Sequence, residues 1–381
     1  MAAFEVTRRG LLTATGLGVL GTALIGCAPG GSVATGAPSG GTEARANRRM
    51  GAEWDSHALT VMSWPTALIW DEDTAYVRED IANIARAIAE FEPVVMLASP
   101  VDAEDAAREC GAAVEIVELA VDDLWARDTV PVFVEGASGL EGVDFNFNGW
   151  GDKQVHPNDA LVAREFLREF EIPRIQANLV GEGGSLETDG LGTLLVTESS
   201  LVNDNRNPGL NRDEIESRLK KLLGMQKVIW FDGVYDEDIT DAHIDSLVRF
   251  TAPGVVLLDT PGEGAPDDVW SRSSAQARSV LAEATDANGD GFEVVDLPQP
   301  DFGEIRGSGD DFLASYVNFY VGNGAVFVPE FGDRRADDRA QGILQDHFPD
   351  REIVPLDIDT VASGGGGIHC ATHDMPGDPE E

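Results

Sequence analysis

Ser-Leu-Val-Arg-Phe-Thr-Ala-Pro-Gly-Val-Val-Leu-Leu-Asp, residues 246–259, carries the plainest structural signal in the chain. Two short apolar runs, Ser246–Phe250 and Val255–Asp259, flank Pro253-Gly254, a turn-forming pair. The spacing predicts two paired strands. Downstream, Ser274–Glu283 has helical periodicity, and Phe292–Asp296 returns to strand composition. The unit is therefore two strands, a helix and a strand. Working outward, Tyr316–Val321 and Ala325–Val328 flank Gly322-Asn323-Gly324, a hairpin signal. A helix over Asp337–His347 and a strand over Glu352–Pro355 follow. Upstream, strands are predicted at Pro93–Ala98, Val114–Leu119, Val130–Val134, Gly192–Val196 and Val228–Phe231. Helices are predicted at Thr74–Phe91, Ala103–Glu109, Asp159–Phe170 and Arg212–Leu223, the last after Asn211 as its N-cap. The unit recurs about every 60–70 residues, a repeat seen in pattern and not in identity. This describes an α/β chain. Gly364–Gly367 lacks the Lys and Ser/Thr that a phosphate-binding loop needs.

Length and charge bound what the chain can be. Its 381 residues allow one large domain or two ordinary ones. Lys and Arg number 27 against 68 Asp and Glu, a net charge of −41. Such a surface repels phosphate backbones, which argues against a nucleic-acid partner. It attracts cations, and it equally suits a protein living in high salt. The first residues read as an address and not as fold. Thr7-Arg8-Arg9-Gly10-Leu11-Leu12 is a twin-arginine signature, Leu11–Ile25 is apolar, and Leu24-Ile25-Gly26-Cys27 resembles a lipobox. Expected boundaries are a signal over 1–26, a Gly/Ser/Pro-rich tether over 27–48, and one catalytic domain over 49–381. An uncleaved N-terminal anchor is the alternative. Either reading exports the protein, with Cys27 as the lipidation site and the membrane touched only through that anchor. Cys110, ending an Ala-rich helical run, reads as a small buried apolar residue; a disulfide with Cys370 is chemically possible.

Four segments could carry chemistry. Gly364-Gly365-Gly366-Gly367-Ile368-His369-Cys370 frees the backbone for close ligand approach just before a thiol. A flexible loop with a buried thiol is the plainer reading. In Asp241-Ala242-His243-Ile244-Asp245, alternate residues would share one face of a strand, putting a proton shuttle between two carboxylates. A polar turn is the plainer reading, and a metal site lacks the usual histidine spacing. Trp125-Ala126-Arg127-Asp128 could form an aromatic-plus-carboxylate wall for a cation, or hold Arg127 in an ordinary ion pair. Gly181-Glu182-Gly183-Gly184-Ser185 could display one carboxylate on a tight turn, or be a turn alone.

Taken together and in order, these segments resemble the agmatine deiminase and bacterial-type peptidylarginine deiminase family. The likeness begins at Ala52-Glu53-Trp54-Asp55-Ser56-His57 and Met62-Ser63-Trp64-Pro65. It runs through Trp125–Pro131, Phe145–Gly151, Glu182–Ser185 and Asn203–Pro208. It ends with His243-Ile244-Asp245, Asn318-Phe319-Tyr320 and Gly365–Cys370. The resemblance implies the pentein fold, a five-bladed α/β propeller of ββαβ units. It implies that Asp128 and Asp245 grip a guanidinium, that His243 is the general acid/base with Glu182 as partner, and that Cys370 is the nucleophile. Trp125 and Asn318 would complete the substrate site. It implies no metal or organic cofactor. Agmatine-directed relatives carry an acid four residues before the histidine; here that position is Ile239, with Asp238 one step earlier. The arginine pair of peptidyl-arginine enzymes is not found, and Trp150 lies in that region. A small guanidino compound such as agmatine and a peptidyl arginine both fit. Alternatives are a dimethylarginine hydrolase or amidinotransferase activity on the same fold, or a lipid-anchored binding protein for cationic amines.

Overall fold

Strand Val248–Ala252 pairs antiparallel with Val255–Thr260, which pairs parallel with Glu293–Pro298 after the helix Val269–Glu283. The unit read from residues 246–296 therefore exists. This computed structural model describes residues 48–262, 264–309 and 311–377. Among them the same arrangement occurs in five small sheets. Val132–Gly136, Gly139–Asp144 and Arg174–Gln176 form one, with helix Asp159–Glu169 in the crossover. Glu187–Thr188, Thr193–Thr197 and Lys227–Phe231 form the next, with helix Arg212–Leu223. Tyr320–Gly322, Ala325–Glu330 and Glu352–Asp357 form another, with helix Arg334–His347. The last joins distant parts of the chain. Thr372–Pro376 pairs antiparallel with His57–Ser63, and Val94–Ala98 and Val114–Glu118 extend that sheet in parallel.

The helices form for ordinary reasons. In Thr74–Ile88, the side chains of Val77, Ile81, Ile84, Ala85 and Ile88 recur at helical spacing and are all buried. Trimming Ile81 to Ala there would cost about 2–5 kcal/mol through lost packing and the cavity left. Arg212–Leu223 begins in a capping box, with Asn211 and Glu214 each bonding the other's backbone, and ends at left-handed Gly224. The middle strands Val94–Ala98 and Thr193–Thr197 are buried along their whole length, as parallel strands covered on both faces are.

Several expectations need correction. Tyr316–Val321 is not one strand; extended pairing begins only at Tyr320, so Asn318 sits in the segment leading into it. Asp241, His243 and Asp245 do not alternate along a strand. Asp241 and Ala242 have φ of 61° and 60°, and Ile244–Ser246 is a single 3-10 turn. Short strands at Gly139–Asp144, Arg174–Gln176, Glu187–Thr188 and Thr372–Pro376 gave no apolar run and were not predicted, and the longer, mostly buried strand His57–Ser63 was not predicted either. Cys110 is buried at a helix end, and both it and Cys370 are free thiols, not a disulfide. The signal, the tether up to residue 47 and Cys27 lie outside the described residues.

Candidate active site

The five sheets place the singled-out residues at equivalent points. Asp128 lies on the short helix Ala126–Thr129 just before the first strand of its sheet. Glu182 and Gly184 stand before Glu187–Thr188. His243 and Asp245 stand before Val248–Ala252, Asn318 before Tyr320–Gly322, and Cys370 before Thr372–Pro376. Residues nearly 250 positions apart thus meet because each occupies the lead-in to a strand pair.

The meeting is tight. A Cβ built on Gly184 would lie 2.6 Å from His243 Nδ1, 2.9 Å from Asp128 Oδ1 and 3.1 Å from Asp245 Oδ2. Gly184 N–H donates to Asp128 Oδ1 at 2.9 Å, and Trp150 Nε1–H donates to Asp128 Oδ2 at 2.9 Å. Trp150 itself is buried in the left-handed region, φ 54° and ψ 42°, a costly conformation for a bulky residue held where the surroundings dictate it. His243 Nε2 lies 3.3 Å from Glu182 Oε2, and His243 Nδ1 lies 3.8 Å from Asp128 Oδ2. Asn318 Nδ2–H donates to Cys370 Sγ at 3.2 Å, while Cys370 N–H donates to Asn318 Oδ1 at 3.2 Å. Cys370 Sγ–H points to Asp245 Oδ2 at 3.5 Å. Trp125 packs against the glycine run; a Cβ on Gly366 would lie 2.2 Å from its ring and 3.1 Å from Cys370 Cβ. Only glycine lets the loop lie flat on that indole beside the thiol.

The electrostatics set the resting protonation. Burial, then the charges of Asp245 and Asp128, push the Cys370 thiol well above its ordinary range. Burial opposes charging His243, but Asp128, Glu182 and Asp245 prevail and raise it to about 9. At neutral pH the site therefore holds a thiol and an imidazolium. Burial would raise Glu182, yet Arg206 and His243 hold it below the usual carboxylate range. Burial would likewise raise Asp245, but His369, His243 and Arg249 bring it to about 2. Asp128 is pushed up by burial against the pull of His243.

Several residues in this layer have roles the motifs did not give them; Asp241, read as a carboxylate flanking His243, is instead part of an ion-pair network, while Arg127 keeps the ordinary ion pair expected of it. Asp241 pairs with Arg206 Nη1 at 2.6 Å and Lys153 Nζ at 2.8 Å. Arg206 also holds Glu182, Nε to Oε1 at 2.8 Å. His369, next to the thiol, reaches Asp245 Oδ2 through Nδ1 at 2.7 Å and Glu53 Oε2 through Nε2 at 2.8 Å. Arg127 does form ion pairs, with Glu53 at 2.8 Å and Asp374 at 3.1 Å. Arg249 was a visible clue, a lone charge inside an apolar strand. It is 1 % exposed, pairs with Glu187 and Glu53, and covers the Phe319 ring at 4.8 Å.

A cavity of about 520 Å³ opens beside His243 and Gly364-Gly365. Glu237, Asp238, Asp268, Asp301 and Asp311 line it together with Trp270, and among the described residues no lysine or arginine does. Ile239 lines it too.

Comparison with known proteins agrees with this geometry. The family described as Porphyromonas-type peptidyl-arginine deiminase matches residues 49–376. An agmatine deiminase from Medicago truncatula is 36% identical over 360 residues, covering 86% of this chain and 96% of the relative. One from Stutzerimonas stutzeri is 38% identical over 355 residues, covering 86% and 95%. The solved structure of the agmatine deiminase of Enterococcus faecalis superposes with a TM-score of 0.80 at 31% identity, covering 87% of this chain and 96% of that one.

Proposed function

This chain belongs to the Porphyromonas-type peptidyl-arginine deiminase family and is a hydrolase acting on amidines, and on that premise we propose that it converts the guanidinium of a small amine-tailed substrate such as agmatine to a ureido group plus ammonia, with Cys370 as nucleophile. The observation that carries this is the convergence of Asp128, His243 and Asp245 around Gly184, with the Cys370 thiol on Asp245.

A guanidinium is planar and permanently charged, so paired carboxylates can fix its plane. Asp128 and Asp245 are the pair for it. Its charge offsets the two carboxylates that keep Cys370 protonated, so the thiol releases its proton to solvent as substrate binds. The thiolate attacks the central carbon. His243, already an imidazolium, gives its proton to the departing amino group, which leaves as ammonia. A covalent thiouronium remains. His243, now neutral, takes a proton from the attacking water, and the adduct collapses as its hydroxyl proton passes to the departing sulfur, giving the ureido product and the resting thiol. Glu182, fixed by Arg206, keeps the imidazole oriented through both halves. Asn318 donates to the sulfur. Trp125 forms the wall beside it.

The acid-lined cavity reads the far end of the substrate. A distal ammonium finds carboxylates there, whereas a distal carboxylate finds no counter-cation among the described lining residues. Asp238 supplies, one residue earlier, the charge that Ile239 lacks. The five sheets are read as five blades of an α/β propeller within one domain over 49–381, with the residues before each first strand at its centre. The twin-arginine segment and Cys27 would place the enzyme outside the cytoplasm on a lipid anchor; cell fractionation that recovers full-length protein in the cytosol would remove that part.

The deciding experiment measures ammonia release from agmatine, free arginine, a peptide with C-terminal arginine and dimethylarginine. Agmatine is turned over fastest, and Cys370→Ala abolishes turnover. Agmatine bound without turnover would favour a binding protein, and preference for dimethylarginine would move the chain to that branch of activity.

A further inference from the structure

We propose that Glu53 and His369 form a positioning relay that fixes the plane of the Asp245 carboxylate for the guanidinium, a role that rests on the deiminase reading above. Asp245 is fully buried, and its own side chain has two rotatable bonds. Its hydrogen bond to Ser246 Oγ is long at 3.4 Å, and that to the thiol is weak. The short bond is to His369 Nδ1, at 2.7 Å. That bond occupies Oδ2, on the sulfur side, and leaves Oδ1, which takes only the long contact from Ser246, for a ligand.

His369 can orient Asp245 only if something orients His369, and that is Glu53. The Glu53 carboxylate has about four acceptor sites. All are taken. Oε2 receives Arg127 Nη2 at 2.8 Å and lies 2.8 Å from His369 Nε2. Oε1 receives Arg249 Nη2 at 2.7 Å and Val321 N–H at 2.9 Å. The two arginines are themselves fixed, Arg127 by Asp374 and Arg249 by Glu187 and the Phe319 carbonyl. The partners of Glu53 come from four separate sheets or their lead-ins. A carboxylate so saturated cannot turn, so the imidazole between it and Asp245 cannot turn either. The segment that holds Glu53, Ala52–His57, carries no group that touches the thiol, and this relay explains why it reaches the centre of the molecule.

The test uses the two amide replacements of His369. Asparagine places its amide nitrogen near imidazole Nδ1 and can still donate to Asp245. Glutamine reaches the Nε2 position, keeping Glu53 and leaving Asp245 free. A hydrogen bond to a charged group is worth about tenfold or more in binding. His369→Gln is therefore expected to raise the KM for agmatine at least about tenfold with kcat within about threefold, because a grip made equally in ground and transition states shows in KM. His369→Asn keeps the donor to Asp245 but lets go of Glu53, so it is expected to raise the KM for agmatine by a smaller factor than His369→Gln, with kcat within about threefold; a KM equal to that of the wild type overturns the part assigned to Glu53. A folded His369→Gln with KM within twofold of the wild type overturns the proposal, as does a fall in kcat at unchanged KM. If neither variant folds, Glu53→Gln, which keeps the size of the hub and removes its charge, is read by the same KM criterion. A wild-type protein that turns over no guanidine sinks the deiminase reading alone; the relay is then read from calorimetric binding of agmatine, where about tenfold weakening in His369→Gln supports it and no change overturns it.

Discussion

Gly184→Ala places one methyl group where three functional side chains meet, so its effect can be worked from the geometry. The new Cβ would lie 2.6 Å from His243 Nδ1, 2.9 Å from Asp128 Oδ1 and 3.1 Å from Asp245 Oδ2, all well inside van der Waals contact. None of the three can yield easily. Asp128 is held by the Gly184 N–H and by Trp150, Asp245 by His369, and His243 by Glu182. Gly184 does not occupy the left-handed region, so no backbone penalty confuses the result. Overpacking of this kind costs about 1–3 kcal/mol of stability. The larger effect is on geometry: displacing a catalytic group by about 1 Å costs roughly 10²-fold in rate. That corresponds to about 2.7 kcal/mol of transition-state stabilisation. The assay is kcat/KM for ammonia release from agmatine, with thermal unfolding measured on the same samples. The expected outcome is a folded protein with kcat/KM down about a hundredfold. Gly183→Ala is the contrast, since its Cβ would strike the Arg127 backbone carbonyl at 2.1 Å and should damage folding instead. A folded Gly184→Ala protein with kcat/KM within threefold of the wild type would refute the convergence on which the proposed chemistry rests.

Because His243 is raised to about 9, its proton is present below that value and lost above it, so kcat/KM should fall as pH rises through about 9. Glu182→Gln removes one of the charges responsible and should move that basic limb to lower pH; an unmoved limb would break the link between the two residues. Trp150→Phe deletes the donor to Asp128 and should raise KM for agmatine about tenfold while the protein stays folded, measured by steady-state kinetics. The buried pair of His57 and Glu92, 3.1 Å apart, raises His57 to about 9 against the opposing effect of burial. Its stabilisation is fully present below pH 6.5 and is lost as pH rises through about 9, so Tm should drop across that window by more in the wild type than in Glu92→Gln. The KM for agmatine should increase with ionic strength more than that of an alkylguanidine without a distal amine, since salt screens the acidic cavity.

What the sequence made legible follows from how each signal is generated. Helix Arg212–Leu223 was found with its cap because capping and amphipathic spacing are local. The repeat of two strands, helix and strand was visible where the strands are apolar, as in residues 246–296, and not at Glu187–Thr188 or Arg174–Gln176, which are short and polar. His57–Ser63 and Thr372–Pro376 were missed because their pairing joins distant parts of the chain, which no local window contains. At the site, Cys370, His243, Glu182, Asp128, Asp245 and Asn318 were named from motifs, and the structure brings them together. Around His243 the sequence left a strand face and a polar turn both open, and the structure shows the turn; alternation of polar residues cannot distinguish a strand from a turn with two left-handed residues. Glu53 and His369 were quoted within motifs but given no role, because their meaning lies in partners scattered over the chain.

The strand that follows Cys370 has a consequence in time. Thr372–Pro376 seals the sheet whose other strands come from residues 57–118. Until those five residues have been made, His57–Ser63 presents an unpaired edge, open to mispairing, and the short helix Ile368–Ala371 that carries the thiol has no strand to anchor it. A growing polypeptide could thus bury most of its core and bind a cation while remaining chemically silent. Synthesis of the final strand would arm the molecule, so reactivity appears only after the remaining architecture is ready to restrain it.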